Sequence, residues 1–251
     1  MTTRTNHLSI IICAYNERRT ILEAIDQARH VDLGPDWTQE VIVVDNCSTD
    51  GTRELLQSLD LPAVEVVLHP RNLGKSASIL SGIERARGDY FAIFDADLEY
   101  EATDLARMVE AINPGDTVTS AAVFGSRTLG GRKIYEYAEN YWGVRFLTWL
   151  ANQFFGGHLT DIAVGLKLAR LDVVRSLDLS DRDFDFDFEL PCELLKRGYE
   201  IKEIPVSYHP RTAEQGKGLV GWRAFHTGFR WLGILLKSRF GRSPDATEET
   251  T

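Results

Sequence analysis

Acidic side chains follow two apolar, strand-like runs of this sequence, and their spacing suits the binding of a divalent cation. Asp45 follows the run 40–44, and Asp95 and Asp97 follow the run 90–94. Two carboxylates separated by one residue, where a strand gives way to a loop, can reach one hard cation such as Mg²⁺ or Mn²⁺. The alternative for so short a motif is a chance pair of acids on a solvated loop. The second acidic strand end, at Asp45, favours a metal site.

A second group of acids lies in residues 178–189, which hold six carboxylates and one arginine. Asp185, Asp187 and Glu189 alternate with phenylalanine, and on a strand this spacing would place the acids on one face. There Asp187 or Glu189 could act as a general base toward a hydroxyl group, whose high pKa requires one. The alternative is a negatively charged helix N-terminus, which the helix dipole stabilises.

Composition excludes several classes of protein. The 251 residues carry 28 basic and 37 acidic side chains, a formal charge of −9, which excludes a simple nucleic-acid binder. The three cysteines show neither disulfide nor zinc spacing, so we expect a reducing compartment. We expect neither a membrane-spanning helix nor a signal peptide, because no apolar run is long enough or suitably placed. Residues 211–242, however, carry seven basic side chains and one acid.

The elements that must position the first acids alternate between strand and helix. This order predicts βαβ units, a mostly parallel sheet and an α/β fold. Ligands of such sheets bind at the carboxyl ends of the strands, which is where Tyr15, Asp45, Asp95 and Asp97 fall. We predict strands over 8–14, 40–44, 64–68, 90–94 and 121–124, and helices over 18–30, 74–86 and 101–112.

Several motifs together resemble those of inverting family 2 glycosyltransferases with the GT-A fold. The resemblance covers about residues 8–220 and is closest to dolichyl-phosphate mannose synthases and bacterial polyprenyl-phosphate sugar transferases. It implies a Rossmann-like, mostly parallel sheet flanked by helices, with a nucleotide-sugar half over 1–127 and an acceptor half over 128–220. The motifs are IIICAYNE, VVDNCSTDGT, RNLGKSAS, GDYFAIFDADLEY, GSR and IKEIPVSYHPRTAEQGKG.

The resemblance also implies a role for individual residues. A nucleotide diphosphate leaving group gains negative charge as the glycosidic bond breaks, and a divalent Mg²⁺ or Mn²⁺ with basic side chains stabilises that charge. The matching metal-binding acids are Asp95, Asp97 and Glu99, and Asp97 and Arg127 match catalytic positions. The matching donor-binding residues are Ala14, Tyr15, Glu17, Asp45, Lys75, Asp95, Ala96, Asp97, Arg127, Arg211 and Lys217.

The segment that would contact the acceptor matches the family pattern only in part. Asp161 and Gly165 match the family's acceptor segment, but Val164 stands where the family has a hydroxyl and Leu166 replaces an aromatic residue. A lipid phosphate is already ionised and needs no base, whereas a sugar hydroxyl would need Asp187 or Glu189. We therefore expect transfer of a hexose to polyprenyl or dolichyl phosphate, with a hydroxyl of a cell-surface glycan as the alternative acceptor.

Two segments bear on membrane association. Residues 222–240 show a basic, amphipathic pattern that is typical of a helix at a membrane interface or of one that closes the core. The aromatic-rich stretch 135–155 could pack on the core, line an acceptor groove or face a membrane. We expect a cytoplasmic, peripheral protein whose segment 221–242 is a separate helix and whose tail 243–251 is disordered. Membrane attachment would come from that helix or from a membrane-protein partner.

Two other classes of protein remain as alternatives. A nucleotidyltransferase would normally carry a loop rich in glycine and basic residues after the first strand, where this chain has Ala14-Tyr15-Asn16-Glu17. A binding protein without catalytic activity is compatible with Val164 but not easily with the intact pair of Asp95 and Asp97.

Overall fold

The computed structural model describes residues 5–112, 120–129, 138–180, 185–211 and 222–240. Within these residues one sheet of seven strands is flanked by helices. The strands are β1 (Asn6–Ala14), β2 (Trp37–Asp45), β3 (Val64–Leu68), β4 (Tyr90–Ile93), β5 (Ser120–Ser126), β6 (Lys167–Arg170) and β7 (Glu200–Pro205). The helices are α1 (Ile21–His30), α2 (Thr52–Gln57), α3 (Lys75–Arg85), α4 (Thr103–Ile112), α5 (Ala138–Phe155), α6 (Leu171–Arg175), α7 (Phe186–Lys196) and α8 (Trp222–Phe240).

The strand order is β3-β2-β1-β4-β6-β5-β7. β1, β2, β3 and β4 pair in parallel, β6 runs antiparallel to both of its neighbours, and β7 is parallel to β5. This mostly parallel, mixed sheet confirms the predicted α/β class. Because β6 and β7 follow residue 127, the second half of the chain supplies strands to the same sheet as the first.

The central strands form where the sequence is apolar on both faces. Ile10, Ile11 and Ile12 of β1 are fully buried, as are Ile42 and Val43 of β2. Strands covered by helices on both faces typically show such continuous apolar runs. The predicted strands therefore lie where expected, although β2 begins earlier than residue 40.

Helix α3 packs tightly on β1 through a glycine. A Cβ atom added at Gly82 would lie 2.5 Å from Cγ2 of Ile11, so a larger residue would push the helix away from the sheet. At the other end of this helix Lys75 lies next to Asp95, which follows β4.

The alternating acids of residues 185–189 are not on a strand, so that interpretation was wrong. Asp187 and Glu189 lie in the first turn of α7, where negative charge suits the helix dipole. Residues two apart on a helix are separated by about 200°. The two acids therefore point in different directions.

A smaller apolar core lies between α5, α7 and α8. Ile234 and Leu235 of α8 are buried in it, and Trp231 stacks on Phe188 with ring centroids 4.1 Å apart. Ile234 and Leu235 thus pack against protein, whereas Leu236 and Phe240 of the same helix are 42% and 70% exposed. No helix in the described part of the chain is both long and apolar enough to cross a membrane. The predicted disordered tail 243–251 lies outside the described residues.

Candidate active site

The carboxyl ends of β1, β2 and β4 meet at one edge of the sheet. Ala14 is in register with Asp45 across the β1–β2 pair, and β1 pairs in parallel with β4 on its other side. The residues that follow these strands, Tyr15, Asn46 and Asp95, therefore share this edge. The parallel topology brings together the first set of acids predicted from the sequence.

Asp45 is fully buried and held in place by neighbouring donors. Its carboxylate accepts a hydrogen bond from the Ser48 N–H at 3.2 Å and from Arg53 Nε at 2.7 Å. Tyr15, by contrast, is 48% exposed. The edge thus offers a fixed carboxylate and an accessible aromatic ring.

Arg211 joins the acids of β1 and β4 from a distant point in the sequence. Its guanidinium donates two hydrogen bonds of 2.9 Å to Glu17 and one of 3.1 Å to Oδ2 of Asp97. Its backbone N–H donates to Oε1 of Glu99 at 2.8 Å. Arg211 Nε is buried and has no hydrogen-bond partner in the described residues. Three predicted site acids are thereby drawn together around one predicted basic residue.

Glu99 is occupied by protein groups on both oxygens. Besides the Arg211 N–H on Oε1, the Tyr208 hydroxyl donates to Oε2 at 2.7 Å. Glu99 therefore fixes the segment that carries Tyr208 and Arg211. Asp97 also accepts a hydrogen bond on each oxygen, from the Glu99 N–H and from Arg211, both at 3.1 Å, so a cation would replace a contact at either acid.

Asp97 sits in an excess of negative charge. Burial, followed by the nearby carboxylates of Asp95 and Glu99, raises the pKa of Asp97 to about 7, although the Glu99 N–H and Arg211 act in the opposite direction. A carboxyl group whose ionisation is opposed by two other carboxylates is one that a bound cation would stabilise.

Asp95 contacts a lysine on one side and a glycine on the other. Lys75 Nζ lies 2.8 Å from Oδ1 of Asp95. A Cβ atom at Gly165 would lie only 2.4 Å from Oδ2, and the Gly165 N–H donates to the Tyr100 hydroxyl at 3.1 Å. Only glycine leaves room for the Asp95 carboxylate here. Val164, beside it, is a fully buried core residue.

Asp187 lies between two lysines. Its Oδ1 is 3.3 Å from Lys167 Nζ and its Oδ2 is 4.0 Å from Lys75 Nζ. Burial alone would lower the pKa of Lys75, but Asp95 and Asp187 raise it well above its ordinary value. For the more deeply buried Lys167, desolvation outweighs the attraction of Asp187 and the pKa is lowered.

Glu189 points to a different part of the molecule. Its Oε2 accepts a hydrogen bond from the Ser180 N–H at 2.6 Å, and burial is the main cause that raises its pKa. The other charges that act on Glu189 are those of Asp185, Lys237 and Glu193. The structure brings Asp187 to Lys75 and Asp95, and it does not bring Glu189 there.

Arg127 and Asp161 form a buried, two-pronged ion pair. Arg127 Nε and Nη2 lie 2.7 and 2.8 Å from the two oxygens of Asp161, and the Arg127 N–H also donates to Oδ2 at 3.1 Å. Burial would raise the pKa of Asp161, but Arg127 lowers it below its usual range. The Arg127 guanidinium also lies over the Tyr208 ring, 5.3 Å from its centroid. Asp161 therefore orients Arg127.

The residues present fit a hard divalent cation held by two acids. Among the described residues, no group of three or more histidine, cysteine or acidic side chains is arranged to hold a metal ion. Mg²⁺ is commonly bound by one or two carboxylates, with substrate phosphates and water as its remaining ligands. Asp95 and Asp97 offer that donor set, and the carboxylates of Asp95 and Glu99 add to burial in raising the pKa of Asp97.

Three residues of the site were not found from the sequence. Tyr100, Tyr208 and Lys167 each contact a predicted site residue. Lys167 offered a signal, because it interrupts the apolar run of a strand. The tyrosines offered none, since aromatic residues are common in any core. Lys217 lies outside the described residues.

A family model for glycosyl transferase family 2 matches residues 9–177, which include the carboxyl ends of β1, β2 and β4. The chain belongs to glycosyl transferase family 2. The match confirms the resemblance that the motifs indicated.

Curated relatives of this family 2 chain include three hexose-transferring proteins. A low-salt glycan biosynthesis hexosyltransferase of Haloferax volcanii is 29% identical over 91% of this chain and 53% of its own length. A dolichol-phosphate mannosyltransferase of Pyrococcus furiosus is 28% identical over 84% and 58%, respectively. The chain thus spans little more than half the length of these two. An undecaprenyl-phosphate mannosyltransferase of Micrococcus luteus is 26% identical over 92% and 98%.

Among solved structures, the fold is similar to that of glucosyl-3-phosphoglycerate synthase from Mycobacterium tuberculosis. That protein was crystallised with Mn²⁺, uridine diphosphate and glucosyl-3-phosphoglycerate. The TM-score is 0.70 at 18% identity, over 95% of this chain and 82% of the other. The similarity confirms the GT-A arrangement that was predicted for this family 2 chain.

Proposed function

We propose that the protein is a metal-dependent, inverting glycosyltransferase that moves a hexose from a nucleotide diphosphate sugar to polyprenyl or dolichyl phosphate. The observation that carries this proposal is that both candidate bases, Asp187 and Glu189, are engaged in contacts with other protein groups. Asp187 is paired with two lysines, and Glu189 is turned toward Ser180. A hydroxyl acceptor needs a general base, whereas an ionised phosphate does not.

The donor nucleotide would lie at the edge formed by β1, β2 and β4. The exposed ring of Tyr15 suits stacking on the base, and Asp45, at the end of the neighbouring strand, is proposed as a fixed acceptor for the base or ribose. Ala14 and Ala96 lie beside these residues at the ends of β1 and β4, and Lys217 remains a predicted contact to the diphosphate.

Asp95 and Asp97 would hold the cation, which supplies positive charge to the donor diphosphate as it leaves. We propose that Arg211 serves the same diphosphate, since it already reaches from Glu17 to Asp97 and its buried Nε has no partner in the described residues. In this role Glu99 acts on the loop of Tyr208 and Arg211 rather than on the reacting atoms.

Arg127 is proposed to bind the phosphate of the acceptor or the leaving group. Its guanidinium is held in place by the Asp161 carboxylate. The backbone of Asp161 is held in turn by Glu203, which accepts hydrogen bonds from the Thr160 and Asp161 N–H groups. Preorganised charge of this kind stabilises a transition state more than a mobile side chain does. Gly165 keeps Asp95 close to this side of the site.

A lipid-linked acceptor would require the protein to work at a membrane surface, on its cytoplasmic face. Helix α5 carries exposed aromatic side chains that suit such a surface: Trp142 is 67% exposed, Phe146 53% and Trp149 56%. Tryptophan is favoured at membrane–water interfaces because its ring is amphipathic. The names of the relatives from P. furiosus and M. luteus, which specify lipid-phosphate acceptors, support the same acceptor class.

The acceptor is tested with a matched pair of lipids that differ only in the head group. Purified protein, Mn²⁺ and labelled GDP- and UDP-sugars are incubated with polyprenyl phosphate or with the corresponding polyprenol. We expect labelled lipid from the phosphate only, because the alcohol would need a base. Equal or greater transfer to the polyprenol, or to a glycan hydroxyl, would refute the proposed acceptor.

A further inference from the structure

Four charged side chains of alternating sign connect the sheet to the first acid of the predicted metal pair. Lys167 on β6 contacts Asp187 on α7, which contacts Lys75 at the start of α3, which contacts Asp95 after β4. The successive distances between charged atoms are 3.3, 4.0 and 2.8 Å. Three separate elements thus converge on one carboxylate.

Burial makes this arrangement costly unless every member is present. Lys167 is fully buried and Asp187 nearly so. A buried charge without a partner is strongly unfavourable, whereas alternating neighbours compensate one another. Lys167 Nζ also donates to the backbone carbonyl of Val164, next to Gly165. Lys167, the member of this series farthest from Asp95, is therefore anchored to the segment that packs against Asp95.

Asp95 is held from both sides. Lys75 contacts its Oδ1, and the Gly165 backbone leaves no room beyond its Oδ2. Asp187 shares the charge of Lys75, so Lys75 does not neutralise Asp95 alone. If that sharing were lost, Lys75 would pair more strongly with Asp95 and would oppose the approach of a cation.

We propose that Lys167, Asp187 and Lys75 form a positioning chain that orients Asp95 and keeps it available to the divalent cation. Asp187 then acts through Lys75 and is not a base. The inference rests on the cation site of the proposed function but makes no use of the acceptor. A positioning role of Asp187 differs from a catalytic one in its expected effect. Substitution of Asp187 should change metal affinity, and it should change turnover at saturating metal much less.

The test measures Mn²⁺ binding by the electron paramagnetic resonance signal of the free ion, with and without UDP or GDP. Asp187→Asn is compared with the full-length wild type, with Asp187→Glu and with Asp185→Asn. Asp185 is a matched control, because it is also buried at the start of α7 and pairs with an arginine, Arg230, but is not part of the chain.

We expect Asp187→Asn to weaken Mn²⁺ binding about tenfold, Asp187→Glu to restore most of it, and Asp185→Asn to leave it unchanged. Unchanged binding in Asp187→Asn, or equal losses in both asparagine variants, would overturn the proposal. So would a loss in turnover of about 10²-fold or more at saturating Mn²⁺ with normal binding, which is the behaviour of a missing base.

A second variant covers the case in which Asp187→Asn does not fold. Lys167→Met combined with Asp187→Leu removes both charges of one buried pair, a change that proteins often tolerate. It leaves Lys75 with Asp95 alone, and we expect the same loss of Mn²⁺ affinity; normal affinity would overturn the proposal. If the wild type binds Mn²⁺ and the variants bind it weakly while no sugar reaches polyprenyl phosphate, the chain stands and the proposed acceptor fails.

Discussion

Three acids that stand two residues apart have three different environments. Asp95 is paired with Lys75, Asp97 contacts Arg211 and has a pKa raised to about 7 by burial and by its acidic neighbours, and Glu99 is bound by Tyr208 and the Arg211 N–H. Identical spacing therefore does not mean identical roles. We expect the first two to hold the cation and the third to hold the loop.

Gly165 is a direct probe of the space around Asp95. In Gly165→Ala the new Cβ would lie 2.4 Å from Oδ2 of Asp95, so the carboxylate must move. We expect turnover to fall at least about 10²-fold, with weaker Mn²⁺ binding and little change in the far-UV circular dichroism spectrum. Gly143→Ala on α5 is the control, because no atom lies within 4 Å of its new Cβ. Normal turnover in Gly165→Ala would show that the orientation of Asp95 is unimportant.

Glu189 distinguishes the two acceptor classes. Because its side chain contacts the Ser180 N–H rather than the site, Glu189→Gln should leave kcat within about twofold of the wild type. Steady-state kinetics with polyprenyl phosphate provide the measurement. A fall of about 10²-fold or more would be the result expected of a general base, and would favour a hydroxyl acceptor.

At the scale of elements, a buried glutamate ties together the strands that carry the site. Glu40 of β2 accepts hydrogen bonds from Ser9 Oγ of β1 at 2.8 Å and from the Arg87 N–H at 2.8 Å, and it pairs with the Arg87 guanidinium. Burial would raise the pKa of Glu40, but these bonds lower it below the ordinary value. Glu40 thus links β2, β1 and the turn before β4.

Glu40→Gln should lower the free energy of unfolding by about 1–3 kcal/mol near neutral pH. Because the pKa of Glu40 is lower in the folded protein than in the unfolded chain, where it is about 4.3, its contribution is complete above that pH. It is lost as pH falls through the folded-state pKa. Urea unfolding at several pH values should therefore show the wild type and the variant converging in acid. Glu23→Gln, on the exposed side of α1, is the control, and a difference that stayed constant or grew in acid would contradict the assignment.

The elements of the first half could be predicted because their signals are local. β3 lies at the predicted residues 64–68, and α3 differs from its prediction by one residue at each end. The acids of α7 led to a wrong prediction, because their alternation with phenylalanine has the period of a strand. The helix is favoured by its dipole and by the contacts of Asp187 with Lys167 and Lys75. No local signal reports such partners.

The site itself was predictable in its acids but not in its pairings. Strand ends located Asp45, Asp95 and Asp97, because their positions follow from parallel topology. The pairing of Arg127 with Asp161 joins residues 34 apart, and that of Arg211 with Glu17 joins residues 194 apart. Such contacts depend on how the second half of the chain enters the sheet, and the sequence pattern carries no information on that.

For the molecule as a whole, the net charge of −9 does not describe the surface of each helix. Helix α8 contains no acidic residue, and it buries Ile234 and Leu235 on α5 and α7 while Leu236 and Phe240 stay exposed. Helix α5 presents three exposed aromatic side chains, those of Trp142, Phe146 and Trp149. We therefore expect α5 to make the membrane contact, with the basic residues of α8 nearby.

Trp149→Glu on α5 should weaken binding to vesicles of phosphatidylglycerol and phosphatidylcholine roughly tenfold in a sedimentation assay, because it places a charge where an aromatic ring would enter the interface. Leu22→Glu is the control, since Leu22 is 45% exposed on α1, on another part of the surface. Equal losses in both variants, or no binding by the wild type, would exclude α5 as the contact.

The central claim is a metal-dependent transfer of sugar to a lipid phosphate through Asp95 and Asp97. The most direct measurement is the organic-extractable label formed from labelled nucleotide sugars and polyprenyl phosphate, with Mn²⁺ or with EDTA, by the wild type and by Asp97→Asn. We expect labelled lipid with the wild type and Mn²⁺, and at least about 10²-fold less with EDTA or the variant. No labelled lipid from any common GDP- or UDP-sugar, or equal labelling by Asp97→Asn, would contradict it.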